Sequence, residues 1–187
     1  MEDTSSLAER IDALLPQTQC TRCGYDGCRP YAEALARGEA ALNRCPPGGA
    51  AVIAALAALT GWPVLPLDPE CGTELDSGVA WIDPQVCTGC ARCLPVCPVD
   101  SIIGAHRLLH TVNTPECTGC ELCIASCPVD CIHMRPRPPG ERAPNPDENR
   151  TRFSAHTARL ERRAQAQDRL LAERKLTAPA AVTESDS

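Results

Sequence analysis

Aromatic side chains are scarce in this chain: two Trp, two Tyr and one Phe make up 3% of its 187 residues. That scarcity excludes a large aromatic core, and small domains without one lean on staples such as metal sites. Lysine is scarcer still, because Lys175 is the one basic residue that is not arginine. No apolar run reaches the roughly 18–20 residues a membrane-spanning helix needs. The longest, Ala50 to Leu59, is too short. No secretory signal opens the sequence. A Gly-rich nucleotide loop, a zincin helix and a nucleophile with a paired base are also missing, so a self-contained catalyst is not expected.

Cysteine is plentiful, with fourteen residues. Residues 87–103 read C-T-G-C-A-R-C-L-P-V-C-P-V-D-S-I-I, and thirty residues later 117–133 read C-T-G-C-E-L-C-I-A-S-C-P-V-D-C-I-H. Ten of the seventeen aligned positions are identical, so the stretch is an internal duplication. Each copy is C-x2-C-x2-C-x3-C-P, the run of bacterial ferredoxins that hold two 4Fe–4S clusters. Three cysteines two residues apart let a tight loop wrap three corners of a cube, with Gly89 or Gly119 permitting the turn. The fourth lies on a helical turn pointing away and reaches the other cube, and the proline after it fixes the exit. The pattern therefore predicts one cluster on Cys87, Cys90, Cys93 and Cys127, and another on Cys117, Cys120, Cys123 and Cys97. Zinc sites rarely show two interleavable runs of this kind. A disulfide framework does not suit a sequence without a secretory signal.

A second cysteine group lies upstream: C20-T-R-C23-G-Y-D-G-C28, then Cys45 followed by P-P-G-G. Gly24 and Gly27 relieve a crowded loop, and a helix over 30–37 stopped by Gly38 returns Cys45 toward it. Four thiolates at this spacing suit a third cubane or a structural zinc equally. Ahead of them, residues 5–15 predict a short amphipathic helix, with Ser6 and Glu9 at capping-box spacing and Leu7, Ile11, Leu14 and Leu15 on one face.

The two cysteine groups together resemble the B subunit of the Rnf electron-transport complex. The resemblance is carried by I11-D-A-L-L-P-Q-T-Q-C-T-R-C-G-Y-D-G-C-R-P-Y-A-E-A, the later C-P-P-G-G-A-A-V, V79-A-W-I-D, the double cysteine run, and I103-G-A-H-R-L-L-H-T-V. It covers roughly residues 10–135. Proteins of that family are electron-carrying parts of a membrane complex that couples ferredoxin–NAD redox chemistry to ion translocation. The resemblance implies a 4Fe–4S cluster on Cys20, Cys23, Cys28 and Cys45, and so three clusters in all. Family members usually begin with a hydrophobic anchor. Here the sequence starts almost directly at the module, so a chain without permanent membrane residence is expected.

Charge divides the chain. Residues 1–149 carry ten Arg against nineteen Asp and Glu, a net of −9, whereas residues 150–175 carry a net of +5. An acidic body suits docking to redox proteins with basic faces and argues against non-specific nucleic-acid binding. The expected fold is α+β. A four-cysteine helical module (1–62) leads through a linker (63–78) to a two-cluster ferredoxin-like domain (79–135), and a Pro-rich linker, charged helix and disordered tail follow (136–187). Short strands are expected at 79–82 and 108–112 and a helix at 50–61. A further helix is expected at 147–175, with a thin seam of Phe153, Leu160, Ala164 and Leu171. Removal of 136–187 is expected to leave every ligand in place. Cys71 and Cys131 have no role as ligands, the first a bystander thiol and the second a small buried filler. His106, His110 and His133 are surface or hydrogen-bonding residues rather than ligands.

The function these features predict is single-electron relay through three 4Fe–4S clusters. The carrier is either docked to the membrane subunits of an Rnf-type complex, peripheral on the cytoplasmic face of the inner membrane, or a soluble cytoplasmic ferredoxin. The competing reading is a zinc-stabilised interaction or nucleic-acid-binding protein with a basic C-terminal helix.

Overall fold

The computed structural model describes residues 4–74 and 78–177. Three helices open the chain: α1 (Thr4–Leu14), α2 (Cys28–Ala36) and α3 (Gly49–Thr60). Ile11 and Leu15, four apart on one helical face, are fully buried against Tyr31, Leu35, Leu42, Ile53 and Leu56. Because α1 already begins at Thr4, Ser6 sits inside its first turn and the expected capping box at Ser6 does not form. The α2 helix stops where the sequence suggested. Gly38, at φ 72°, lets its own N–H bond Leu35 and the N–H of Glu39 bond Ala34, both at 2.9 Å, which closes the last turn.

The segment expected as a linker is tied down. Asn43 Nδ2 donates to Pro66 O at 2.6 Å, and Arg44 pairs with Asp68 at 2.7 Å. Cys71 ends a single 3-10 turn (Pro69–Cys71) and is 5% exposed, so it is not an accessible thiol. Loops rich in proline still pack when side-chain donors reach their carbonyls.

Four short strands follow. β1 (Gly78–Ile82) pairs antiparallel with β4 (Ile132–Pro136), and β2 (Ile102–Ile103) pairs antiparallel with β3 (Thr111–Val112). Only Thr111 and Val112 of the expected 108–112 strand are extended in the sheet. β2 and β4 were not foreseen, yet each begins at the same point of its repeat, at Ile102 and Ile132. A second core of Val79, Ala80, Ile82, Val99, Ile102 and Ile132 lies between the strands and the cysteine loops, where one-turn helix α4 (Leu122–Ala125) also sits. Trp81 faces outward, with the Arg135 guanidinium 3.3 Å from its ring centre.

The C-terminal helix α5 (Pro146–Thr177) corrects two expectations. It starts with a reciprocal cap that the sequence reading missed: Glu148 N–H donates to Asn145 Oδ1 at 2.8 Å, and Asn145 N–H to Glu148 Oε2 at 3.0 Å. It then docks mainly through polar side chains, with Phe153 and Leu160 of the apolar seam half-buried on the same face. Ala164 and Leu171 are exposed. Asn149 Nδ2 donates to Pro16 O at 3.2 Å, and Arg150 reaches the Asp12 carbonyl at 3.0 Å. Arg152 pairs with Glu116, and His156 and Arg159 both engage Asp100. The surface beneath is acidic, so arginine, histidine and asparagine at helical spacing fit it better than leucine. Upstream, Arg137 donates to Thr114 O at 2.8 Å and to Cys117 O at 2.7 Å. Residues 137–159 are thus bound to both cysteine-bearing parts rather than trailing free. Of residues 176–187, read as a disordered tail, 176 and 177 continue α5 and 178–187 lie outside the described residues. No helix among the described residues is long and apolar enough to cross a membrane.

Candidate metal centres

Each repeat folds its first three cysteines onto a tight loop. Gly89 and Gly119 adopt φ of 70° and 71°, and a Cβ on either would lie 2.7 Å from a carbonyl, that of Leu108 or of Gly78. Glycine is therefore required twice over, for the turn and for the chain that presses on it. The second residues past them, Ala91 and Glu121, repeat the match with φ of 63° and 65°.

Two small cavities of similar size lie behind the loops. The first is lined by Cys97 together with Cys117, Cys120 and Cys123, and the second by Cys87, Cys90 and Cys93 together with Cys127. In each, the fourth lining cysteine comes from the other repeat. Electrostatics agree with the grouping. Burial pushes the Cys123 thiol up to about 12, with Cys120, Cys117 and Cys97 adding to the rise. Burial also pushes the Cys93 thiol to about 11, with Cys90, Cys87 and Cys127 adding to it. Four thiolates in such a space repel one another, and only a cationic centre makes them stable together.

In the N-terminal module Cys23, Cys28 and Cys45 are buried and Cys20 is half-buried. Burial drives Cys28 and Cys45 up to about 12, and Cys20 and Cys23 add to both. A buried chain of amides, missed in the sequence reading, sets this loop. Cys28 N–H donates to Gln19 Oε1 at 2.8 Å, Gln19 Nε2 to Gln17 Oε1 at 2.8 Å, and Gln17 Nε2 to Asp12 Oδ1 at 3.0 Å. The signal available was Q-T-Q between a helix stop and the first cysteine, where uncharged donors and acceptors can be buried in pairs. Tyr31 fixes the other approach: its hydroxyl donates to Ala41 O at 2.8 Å and accepts from Arg44 N–H at 3.2 Å, just before Cys45.

The module sits against the second ferredoxin loop. Arg22 pairs with Glu121, and Cys20 and Cys120 line one open groove. Among the other expectations, His106 and His133 are exposed, but His110 is 4% exposed with Nδ1 3.6 Å from Cys87 Sγ. Cys131 is buried, and its backbone N–H donates to Cys127 Sγ at 3.3 Å.

All fourteen cysteines are free thiols. Among the described residues no three or more Cys, His, Asp or Glu converge on a point fit for a single metal ion. The cysteines of the duplicated run instead line two cavities, the arrangement a polynuclear cluster with a thiolate at each corner needs. A duplicated cysteine loop with exchanged fourth members, closed by two small antiparallel sheets, defines a ferredoxin-type iron–sulfur protein. Comparison with known sequences agrees. Residues 80–134 match the family profile described as "4Fe-4S dicluster domain", and residues 15–47 match the one described as "Putative Fe-S cluster". Several curated relatives are named as the B subunit of an ion-translocating oxidoreductase complex. Among them, that of Alkalilimnicola ehrlichii is 61% identical over 131 residues, 70% of each chain. That of Azoarcus sp. is 59% identical over 130 residues, 70% of this chain and 71% of the relative. That of Sodalis glossinidius is 59% identical over 133 residues, 71% of this chain and 70% of the relative. The chain belongs to this family, the B subunits of ion-translocating oxidoreductase (Rnf) complexes. It is an iron–sulfur electron-transfer protein, and its cofactors are 4Fe–4S clusters.

Proposed function

We propose that the chain relays single electrons through three 4Fe–4S clusters. Cys20, Cys23, Cys28 and Cys45 hold the first. Cys117, Cys120, Cys123 and Cys97 hold the second, and Cys87, Cys90, Cys93 and Cys127 the third. The observation that supports this relay order is the groove lined by both Cys20 and Cys120. Cys97 lining the cavity of the second repeat, and Cys127 that of the first, support the second site lying beside the third.

Bound clusters supply one-electron chemistry. The protein's own part is to bury the sulfurs, exclude water and direct N–H groups at them. Ala80 N–H lies 3.5 Å from Cys117 Sγ, and Ser101 N–H lies 3.2 Å from Cys97 Sγ. Because the relatives are named as parts of an ion-translocating complex, we assign this chain a place docked to membrane subunits of such a complex, on the cytoplasmic side. Its domains divide near residues 62, 79 and 136, with α5 strapped across the first and third.

The test is anaerobic purification with iron, sulfide and zinc determination. Three clusters give about twelve irons per chain. About eight irons with one zinc would make the N-terminal module structural and reduce the relay to two sites.

A further inference from the structure

The repeats run in parallel through C-P-V-D and part at the next residue, Ser101 in the first and Cys131 in the second. Both residues are buried, 2% and 4% exposed, and both face the fourth cysteine of their own repeat. Their backbones do the same work. Ser101 N–H lies 3.2 Å from Cys97 Sγ, and Cys131 N–H lies 3.3 Å from Cys127 Sγ. Their side chains do not. Ser101 Oγ lies 3.3 Å from Cys97 Sγ, whereas Cys131 Sγ lies 3.4 Å from Cys127 Sγ. A sulfur that binds iron only accepts, so each neighbour must donate. A hydroxyl is a good donor and a thiol a weak one.

We propose that Ser101 is a positioning residue for electron transfer. On this view its hydroxyl raises the reduction potential of the cluster completed by Cys97 relative to the cluster completed by Cys127, where Cys131 offers only a thiol. The inference rests on the ligand sets proposed above. Reduction adds one electron to a cluster, and part of that charge falls on the ligand sulfurs. A donor aimed at a ligand sulfur therefore stabilises the reduced form more than the oxidised one.

A second difference acts in the same direction. Asp100, beside Ser101, is paired with Arg159 and His156, whereas Asp130 at the equivalent place has no ion pair among the described residues. An uncompensated carboxylate near Cys127 opposes reduction there. His110 acts the other way, but only at 3.6 Å from Cys87 Sγ. Residue swaps between the repeats isolate the side-chain effect from both of these.

The experiment is an EPR-monitored redox titration of the loaded full chain, with iron counted in every variant. Ser101→Ala should lower the potential of the cluster on Cys117, Cys120 and Cys123 and leave its partner unmoved. Cys131→Ser should raise the potential of the cluster on Cys87, Cys90 and Cys93, while Cys131→Ala should barely shift it. Fully loaded variants with unmoved potentials, or with both clusters shifting together, overturn the proposal. If Ser101→Ala loses iron, Cys131→Ser alone decides. A wild-type ferredoxin domain that binds fewer than eight irons overturns the ligand sets themselves and this inference with them, an outcome the iron count separates from a failure of tuning alone.

Discussion

Ending the chain after Asn145 should loosen a loop whose cysteines lie more than a hundred residues upstream. The α5 helix touches the N-terminal module through Asn149 and Arg150, and the ferredoxin domain through Arg152, His156 and Arg159. The Asn149 bond to Pro16 O is part-buried and contributes about 1 kcal/mol. The three arginines are 31–38% exposed, so their ion pairs are screened. Each then contributes roughly 0.2–1 kcal/mol. Together the strap stabilises the packed arrangement by about 2–3 kcal/mol, which shifts a local opening equilibrium roughly 30- to 150-fold. Arg150 and Gln17 both bond Asp12, and Gln17 leads through Gln19 to the Cys28 N–H. Hydrogen exchange read by mass spectrometry should therefore quicken over residues 5–30 and around Asp100. A control ending after Glu161 keeps every one of these contacts and should change little. Equal loosening in both truncations, or none in either, would refute the strap.

The ligand exchange has its own test. Cys97→Ser should disturb the cluster on Cys117, Cys120 and Cys123, and Cys127→Ser the one on Cys87, Cys90 and Cys93, as site-resolved spectroscopy would read. Disturbance confined to the mutated repeat would mean two independent sites. Gly119→Ala places a Cβ 2.7 Å from Gly78 O at φ 71°, which adds steric displacement to about 1–2 kcal/mol of backbone strain. Denaturation should show a clear loss there. It should show only the backbone part for Gly140→Ala, where φ is 81° and nothing lies within 4 Å. Acid should release α5. Burial pushes the Asp100 carboxyl up, but the bonds from Arg159 and His156 outweigh it and hold it below its ordinary value. A depressed carboxylate stabilises fully above its unfolded pKa of about 3.9 and loses that contribution as pH falls through the lower folded value. Exchange around Arg159 should therefore accelerate below about pH 4, and Asp100→Asn should remove that acid dependence.

The cysteine spacing alone was enough to mark both loops of the duplicated run, because tight loops with glycine at one position leave few other arrangements. The apolar face of α1, the Gly38 stop and the chemistry of the cofactor were legible for the same reason: each depends on residues close together in sequence. The strands β2 and β4 were not, since two or five residues of extended chain carry too little periodicity without their partners. Nor was the role of α5. The acidic surface of Asp12, Asp100 and Glu116 selected its polar partners, which no local pattern in the helix reveals. His110 beside Cys87, and Ser101 and Cys131 beside the fourth cysteines, looked like ordinary residues until folding set them against sulfur. Sequence by itself determined which thiols occur in sets and what metal chemistry suits them, because ligand spacing is a local property. Tertiary structure decided which cysteines share a cavity, which donors face them and what holds the modules together, because those depend on contacts between segments up to 138 residues apart.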